Sequence, residues 1–331
     1  MFEILLSAFN ESINLKNNLN DYELIGVKYS TQFHELQRKS DLINYQKPEI
    51  ILLGSSTLMQ ANKKISRDKI LMNASIGNIN FEKMNYFIDK LNYEPEIIII
   101  SLDSYLFNKN YVGFGGFKKF TEFTEKNLIT LISFAKVLKE RPSAYKEFIL
   151  DLIKYKNEIL NLTSDDFKKY FGFNAIVLKS GFKKDGSFQY PNLYLLNNFE
   201  DRNSKNFIML IEQDNSSIYF NKNMNFEKNF KIKIDEIIKN KKLLNTKKIF
   251  MLNALHPELI VALKEHSYTN KFYLLYDSEI CKHINNYKDP KIKCFNFINA
   301  VNEYKIKNYR FFDEMHMDEN LINLLISKIL G

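Results

Sequence analysis

Apolar residues in this chain fall into short continuous runs. The stretches 49–56 (EIILLGSS), 69–76 (KILMNASI), 95–103 (PEIIIISLD), 247–254 (KKIFMLNA), 271–277 (KFYLLYD) and 293–298 (KCFNFI) each read as a strand. Unbroken apolar character implies burial on both faces, as in a parallel sheet covered by helices. Between the runs the period changes. In 80–91, Phe81, Met84, Ile88 and Leu91 share one helical face, and Asn80 stands at the N-cap position. The stretch 318–330 ends the chain as a helix, with acids in its first turn and Lys328 in its last.

Strands alternating with helices predict an α/β fold: a three-layer sandwich around a mostly parallel central sheet. The middle of the chain breaks this rhythm. The segments 127–140 and 143–160 read as helices, and 181–190, with Asp185-Gly186, reads as a turn between short strands. The predicted organisation is an N-terminal extension over 1–44 and an α/β domain over 45–331. A largely helical insertion at about 109–240 interrupts that domain, over the sheet edge where α/β proteins place ligands.

Composition narrows the picture. The 331 residues are 45% hydrophobic and 26% charged, which suits a globular core. The net charge of +8 comes from scattered lysines in a chain rich in Lys, Asn and Ile; it forms no basic run or nucleic-acid motif, so no nucleic-acid partner is expected. Cys281 and Cys294 make neither a disulfide framework nor a zinc site. No run spans a bilayer and the start is not a signal peptide, so a cytoplasmic or peripheral location is expected, with membrane association only through an anchor outside this sequence.

The chemistry gathers at strand ends. The first strand runs into Gly54-Ser55-Ser56, and a serine becomes nucleophilic only when a base takes its proton. A base stands near the C-terminus in FFDEMHMDENL: Asp313 and His316 are three residues apart, a spacing that lets the carboxylate hold one imidazole nitrogen while the other faces outward. His256, before Pro257 and after the fourth strand, also lies near the ligand edge. Arg38 reads as solvated surface. His34, His266 and His283 show no metal-ligand spacing.

In this order the blocks resemble the SGNH (GDSL-type) hydrolase family, in an envelope-associated branch. The resemblance rests on Gly54-Ser55-Ser56, on Gly77 in NASIGN, and on Asp313 and His316; it covers roughly 45–105 and 245–331. It implies an SGNH/flavodoxin-like sandwich and a serine-dependent O-acyl esterase or acyltransferase. Ser56 would be the nucleophile, His316 the base, Asp313 its orienter and Gly77 an oxyanion donor. No metal or organic cofactor is implied. The partner would be an acylated glycan or small acyl ester, and the setting extracytoplasmic. The third block departs from the family, with Asp103 where an oxyanion-binding asparagine is usual. A bare carboxylate there would repel an oxyanion. Either Asp103 is protonated or otherwise employed, or Asn108 substitutes, or the protein is a catalytically silent scaffold that binds a glycan or assembly partner. A nucleotide-binding domain is disfavoured, because the first turn carries one glycine and no phosphate loop.

Overall fold

A computed structural model of the chain describes residues 22–26, 32–66, 68–110, 143–191, 204–212, 220–221, 223–307, 309–313 and 315–331. The helix expected at 127–140 lies outside them. The chain divides into two units, Met1–Tyr45 with Lys119–Leu196, and Gln46–Lys118 with Asn197–Gly331. The stretch expected as one insertion is thus shared between them, and the N-terminal segment groups with part of it.

In the first unit, short strands stand in the order Tyr170–Phe171, Leu24–Ile25, Gly181–Phe182, Phe188–Gln189. The last two form the expected hairpin. Gly186 supplies the left-handed residue of its turn (φ 75°), and Lys39 donates to the Gly186 carbonyl at 3.1 Å. Helix Phe173–Leu178 buries Phe173, Ile176 and Val177 against Leu152, Tyr155 and Ile159, from the segment expected to be helical at 143–160.

The second unit is the α/β sandwich. Its strands are β1 (Ile50–Leu53), β2 (Leu71–Asn73), β3 (Ile97–Ser101), β4 (Lys247–Leu252) and β5 (Ile292–Asn296). All are parallel, in the order β2-β1-β3-β4-β5. Ile51, Leu52, Leu53, Ile98, Ile99 and Ile100 are fully buried, so both faces of the central strands are covered. Each such side chain contributes about 1.5–3 kcal/mol of transfer free energy.

The helices are α1 (Phe81–Asp89), α2 (Ser204–Ile211), α3 (Phe230–Ile238), α4 (Pro257–Glu265), α5 (Ser267–Asn285), α6 (Ala300–Glu303) and α7 (Glu319–Leu330). Asn80 caps α1 as expected, accepting from the Lys83 N–H at 2.8 Å. Helix α7 lays Leu321, Ile322, Leu325, Ile326 and Ile329 on the face of the sheet formed by Ile50, Leu52, Ile99, Ile249 and Met251. Helices α2 and α3 pack on α4 and α1 and belong to this unit. No helix among the described residues is long and apolar enough to cross a membrane.

Two expectations need correction. The run 271–277 is no strand but the middle of α5. Thr269, Phe272, Tyr273, Tyr276, Ile280 and Ile284 are buried at helical spacing, a period visible only over a longer window. Cys281 and Cys294, set aside above, form a disulfide that ties α5 to the neighbouring strand β5. Beside it the Asn285 side chain accepts from the Cys294 N–H at 2.8 Å and donates to the Cys294 carbonyl at 3.3 Å.

Candidate functional site

The strand order reverses at β1, so the crevice beyond the carboxyl ends of β1 and β3 is where such a sheet takes ligands. The ladder runs on into that edge, with Ala74 N–H to the Leu52 carbonyl (2.7 Å), Ile76 N–H to Gly54 (3.0 Å) and Leu102 N–H to Met251 (2.8 Å). These bonds align the segments that follow β1, β2, β3 and β4. Gly54 must be glycine there, because a Cβ would stand 2.6 Å from the Ser101 Cβ on β3.

After Gly54 the chain makes a single 3-10 turn, Ser56–Leu58, capped by Ser55, whose Oγ accepts from the Thr57 N–H at 3.2 Å. Ser55 and Thr57 are buried and turn inward, leaving Ser56 between them turned outward and half-buried. Asn73, the last residue of β2, pins the far side of the turn by donating to the carbonyls of Leu58 and Ala61, both at 2.8 Å.

The opposite wall is the loop before α7. Phe311 and Met317 pair across it and are both buried in the core under α7. They hold the ends of a tight excursion that carries Asp313 and His316. Asp313 Oδ1 accepts from the N–H groups of Met315 and His316, each at 2.8 Å, and its Oδ2 pairs with His316 Nδ1. His316 Nε2 meets Ser56 Oγ at 2.7 Å. An ionised carboxylate only accepts, so Nδ1 carries the proton and Nε2 is the accepting nitrogen towards Ser56 Oγ. Burial pushes the Asp313 carboxyl up, but the hydrogen bond and charge of His316 and the two N–H donors outweigh it, and the net is below the usual range.

Asp103 does not reach towards Ser56 Oγ. It lies fully buried beneath the turn, where it accepts from the Ser55 hydroxyl and from Thr57 Oγ1 at 3.0 Å. Asn253, which follows β4, places its Nδ2 2.8 Å from Asp103 Oδ1, 2.6 Å from Thr57 Oγ1 and 2.7 Å from Ser101 Oγ. Burial drives the Asp103 pKa up; the hydrogen bonds from Ser55, Asn253 and Thr57 and the charge of His316 pull against it without cancelling it.

The other expected residues divide. Gly77 stands one residue past the Ile76–Gly54 bond, at the same edge, and its N–H, like that of Ser56, finds no acceptor among the described residues. A Cβ on Gly77 would meet nothing within 4 Å. Any role there belongs to the backbone N–H, so Gly77→Ala is expected to keep its urea midpoint and to stay within about threefold of the wild-type rate in any reaction at Ser56, given an unstrained φ. A loss of 10²-fold, about what one oxyanion donor is worth, would show that the alanine displaces that N–H.

Asn108 makes no hydrogen bond to Ser56, and its Nδ2 is buried with no partner among the described residues. Its Oδ1 accepts from the N–H groups of Asn110 and Asn225, both at 3.1 Å, and pins a loop that pairs with Phe226. His256 bonds to none of the Ser56, Asp313 and His316 side chains, and its Nε2 is buried with no partner among the described residues. It caps α4 through Nδ1, which accepts from the Glu258 N–H, and its ring is enclosed by Phe207, Tyr309 and Phe311. Burial pushes its pKa down. Through Phe311 it buttresses the Asp313–His316 loop from below. Among the described residues, no three His, Cys, Asp or Glu side chains gather as metal ligands would.

No protein-family model, curated protein or solved structure matches this chain. The site therefore has to be read from its geometry. Ser55, Thr57, Ser101, Asn73 and Asn253 are the contributors that sequence reasoning missed. Their one signal is that each polar side chain sits at or just beyond the end of an apolar run.

Proposed function

We propose that this chain is a serine-dependent O-acyl esterase or acyltransferase, as its resemblance to SGNH hydrolases implies. The observation that carries the reading is the unbroken relay from Ser56 Oγ through His316 to Asp313, built from opposite ends of the chain. In this scheme Ser56 Oγ attacks the acyl carbonyl as its proton passes to His316 Nε2, and Asp313 stabilises the imidazolium. The N–H groups of Ser56 and Gly77 stabilise the oxyanion. Collapse of the intermediate breaks the ester C–O bond, and the proton leaves on the departing alcohol. Water, or an acceptor hydroxyl, then takes the acyl group from Ser56 by the same steps in reverse. Asp103 presents no bare charge to the oxyanion in this scheme, because its oxygens are occupied below the turn. An acylated glycan of the cell envelope as substrate rests on the family resemblance alone.

Incubation with an aryl acetate and with a fluorophosphonate tests the reading. Turnover and a phosphonyl adduct mapped to Ser56 are the expected results. Wild-type protein that gives neither would leave the silent scaffold in its place.

A further inference from the structure

We infer that Asp103, held by Asn253, is a positioning residue for Ser56: it clamps the side chains on either side of the serine and so turns the serine towards His316. This deepens the proposed function and rests on it.

The geometry is specific. Ser55 and Thr57 flank Ser56 in sequence, and both hydroxyls end on one carboxyl group. With both neighbours drawn under the turn, the side chain between them has to leave on the opposite side, where His316 Nε2 stands at 2.7 Å. Asp103 comes from the segment after β3 and Asn253 from the segment after β4, so the clamp takes its rigidity from two central strands. The turn itself is short, and its capping bond of 3.2 Å is modest. A turn that short does not fix a side-chain direction unaided.

The arrangement also works against stability. A carboxyl group is fully buried with no cation bonded to it, and Asn253 Oδ1 is buried with no hydrogen-bond partner among the described residues. Both cost folding free energy. An apolar filling would serve the fold better, and local rules broken at unrecovered cost gather at functional sites. Burial raises the Asp103 pKa. An asparagine is its closest isostere: Oδ1 accepts where Asp103 Oδ1 accepts, and Nδ2 stands against Ser55 Oγ, a hydroxyl that can accept as well as donate.

The test compares Asp103→Ala, Asp103→Asn and Asn253→Ala in the full chain. It measures aryl acetate kcat and KM, the rate of phosphonylation at Ser56, the urea midpoint, and a crystal structure of Asp103→Ala. Asp103→Ala is expected to lose about 10²-fold in kcat and in phosphonylation rate with KM little changed, the cost of a reacting group displaced by about 1 Å. Asp103→Asn should recover to within about tenfold of wild type. Asn253→Ala should fall between them, and the Asp103→Ala/Asn253→Ala double variant should be no slower than Asp103→Ala, because the two act as one clamp. In the crystal, Ser56 Oγ should leave hydrogen-bond reach of His316 Nε2.

A folded Asp103→Ala protein with wild-type kcat, or with a change in KM alone, overturns the inference. If Asp103→Ala does not fold, Asp103→Asn and Asn253→Ala decide it, and wild-type rates in both overturn it. Should wild-type protein itself show no turnover and no adduct, the esterase reading fails on its own. The crystal structure still judges the clamp: an unmoved Ser56 refutes it.

Discussion

Ser56→Ala and His316→Ala are each expected to lower kcat for a small aryl ester on the order of 10⁶-fold, and the double variant is expected to be no slower than either. The reason lies in the 2.7 Å contact between the two side chains. Ser56 without a base is an ordinary hydroxyl, and His316 without the hydroxyl has no proton to take. Removing either removes the same step, so the second removal costs nothing further. Both substitutions shorten side chains at the sheet edge and leave the core under α7 intact, so far-ultraviolet circular dichroism should not change. Steady-state rates of the three variants, measured beside wild type, check this. Losses that multiply would mean that the two side chains act independently, and the relay would be refuted.

The second large effect belongs to Asp313. Asp313→Asn is expected to lower kcat about 10⁴-fold while the loop keeps its shape. Asparagine still offers Oδ1 to the N–H groups of Met315 and His316, which the aspartate holds at 2.8 Å. Its amide, however, donates where the carboxylate accepted from His316 Nδ1. The imidazole then carries its proton on Nε2, where it cannot receive the one on Ser56. Stability has a pH dependence of its own. The folded-state pKa of Asp313 is below the usual carboxylate range. Its contribution is therefore fully present above the unfolded-state value of about 3.9 and is lost as pH falls through the lower folded value. Urea midpoints measured from neutral pH into acid should fall less for Asp313→Asn than for wild type. A variant with wild-type kcat, or with an unchanged acid slope, contradicts the assignment.

Much of the sandwich is legible in the sequence, because a strand buried on both faces writes itself as an unbroken run such as Ile50–Leu53 or Ile97–Ile100. The residues 271–277 misled because seven residues cannot separate a buried strand from one stretch of a longer helix. The meeting of Ser56, Asp313 and His316 was legible too, since a serine after the first strand and an Asp-x-x-His before the last helix converge once the sheet is closed. The clamp beneath it was not. Asp103 and Asn253 are 150 positions apart. Neither carries meaning until the register of β3 beside β4 sets their two segments side by side. Asp103 looked like an obstacle to an oxyanion because sequence gives a residue's place at a strand end and not the direction of its side chain. The direction of Asn108 was hidden for the same reason: its Oδ1 holds a loop that the sequence does not show as a loop, and its Nδ2 is buried with no partner among the described residues.

The pairing of Asn285 with the backbone of Cys294 bears on how this protein behaves among its own copies. Strand β5 ends the sheet on its side, and the outer backbone of an edge strand is a template for another chain. Here one amide side chain already occupies the N–H and the carbonyl that an incoming strand would seek first, and the disulfide fastens the helix that delivers it. The edge carries its own stopper. An incoming strand would have to displace the Asn285 side chain to pair with Cys294, and the disulfide that fastens α5 to β5 holds that side chain in place.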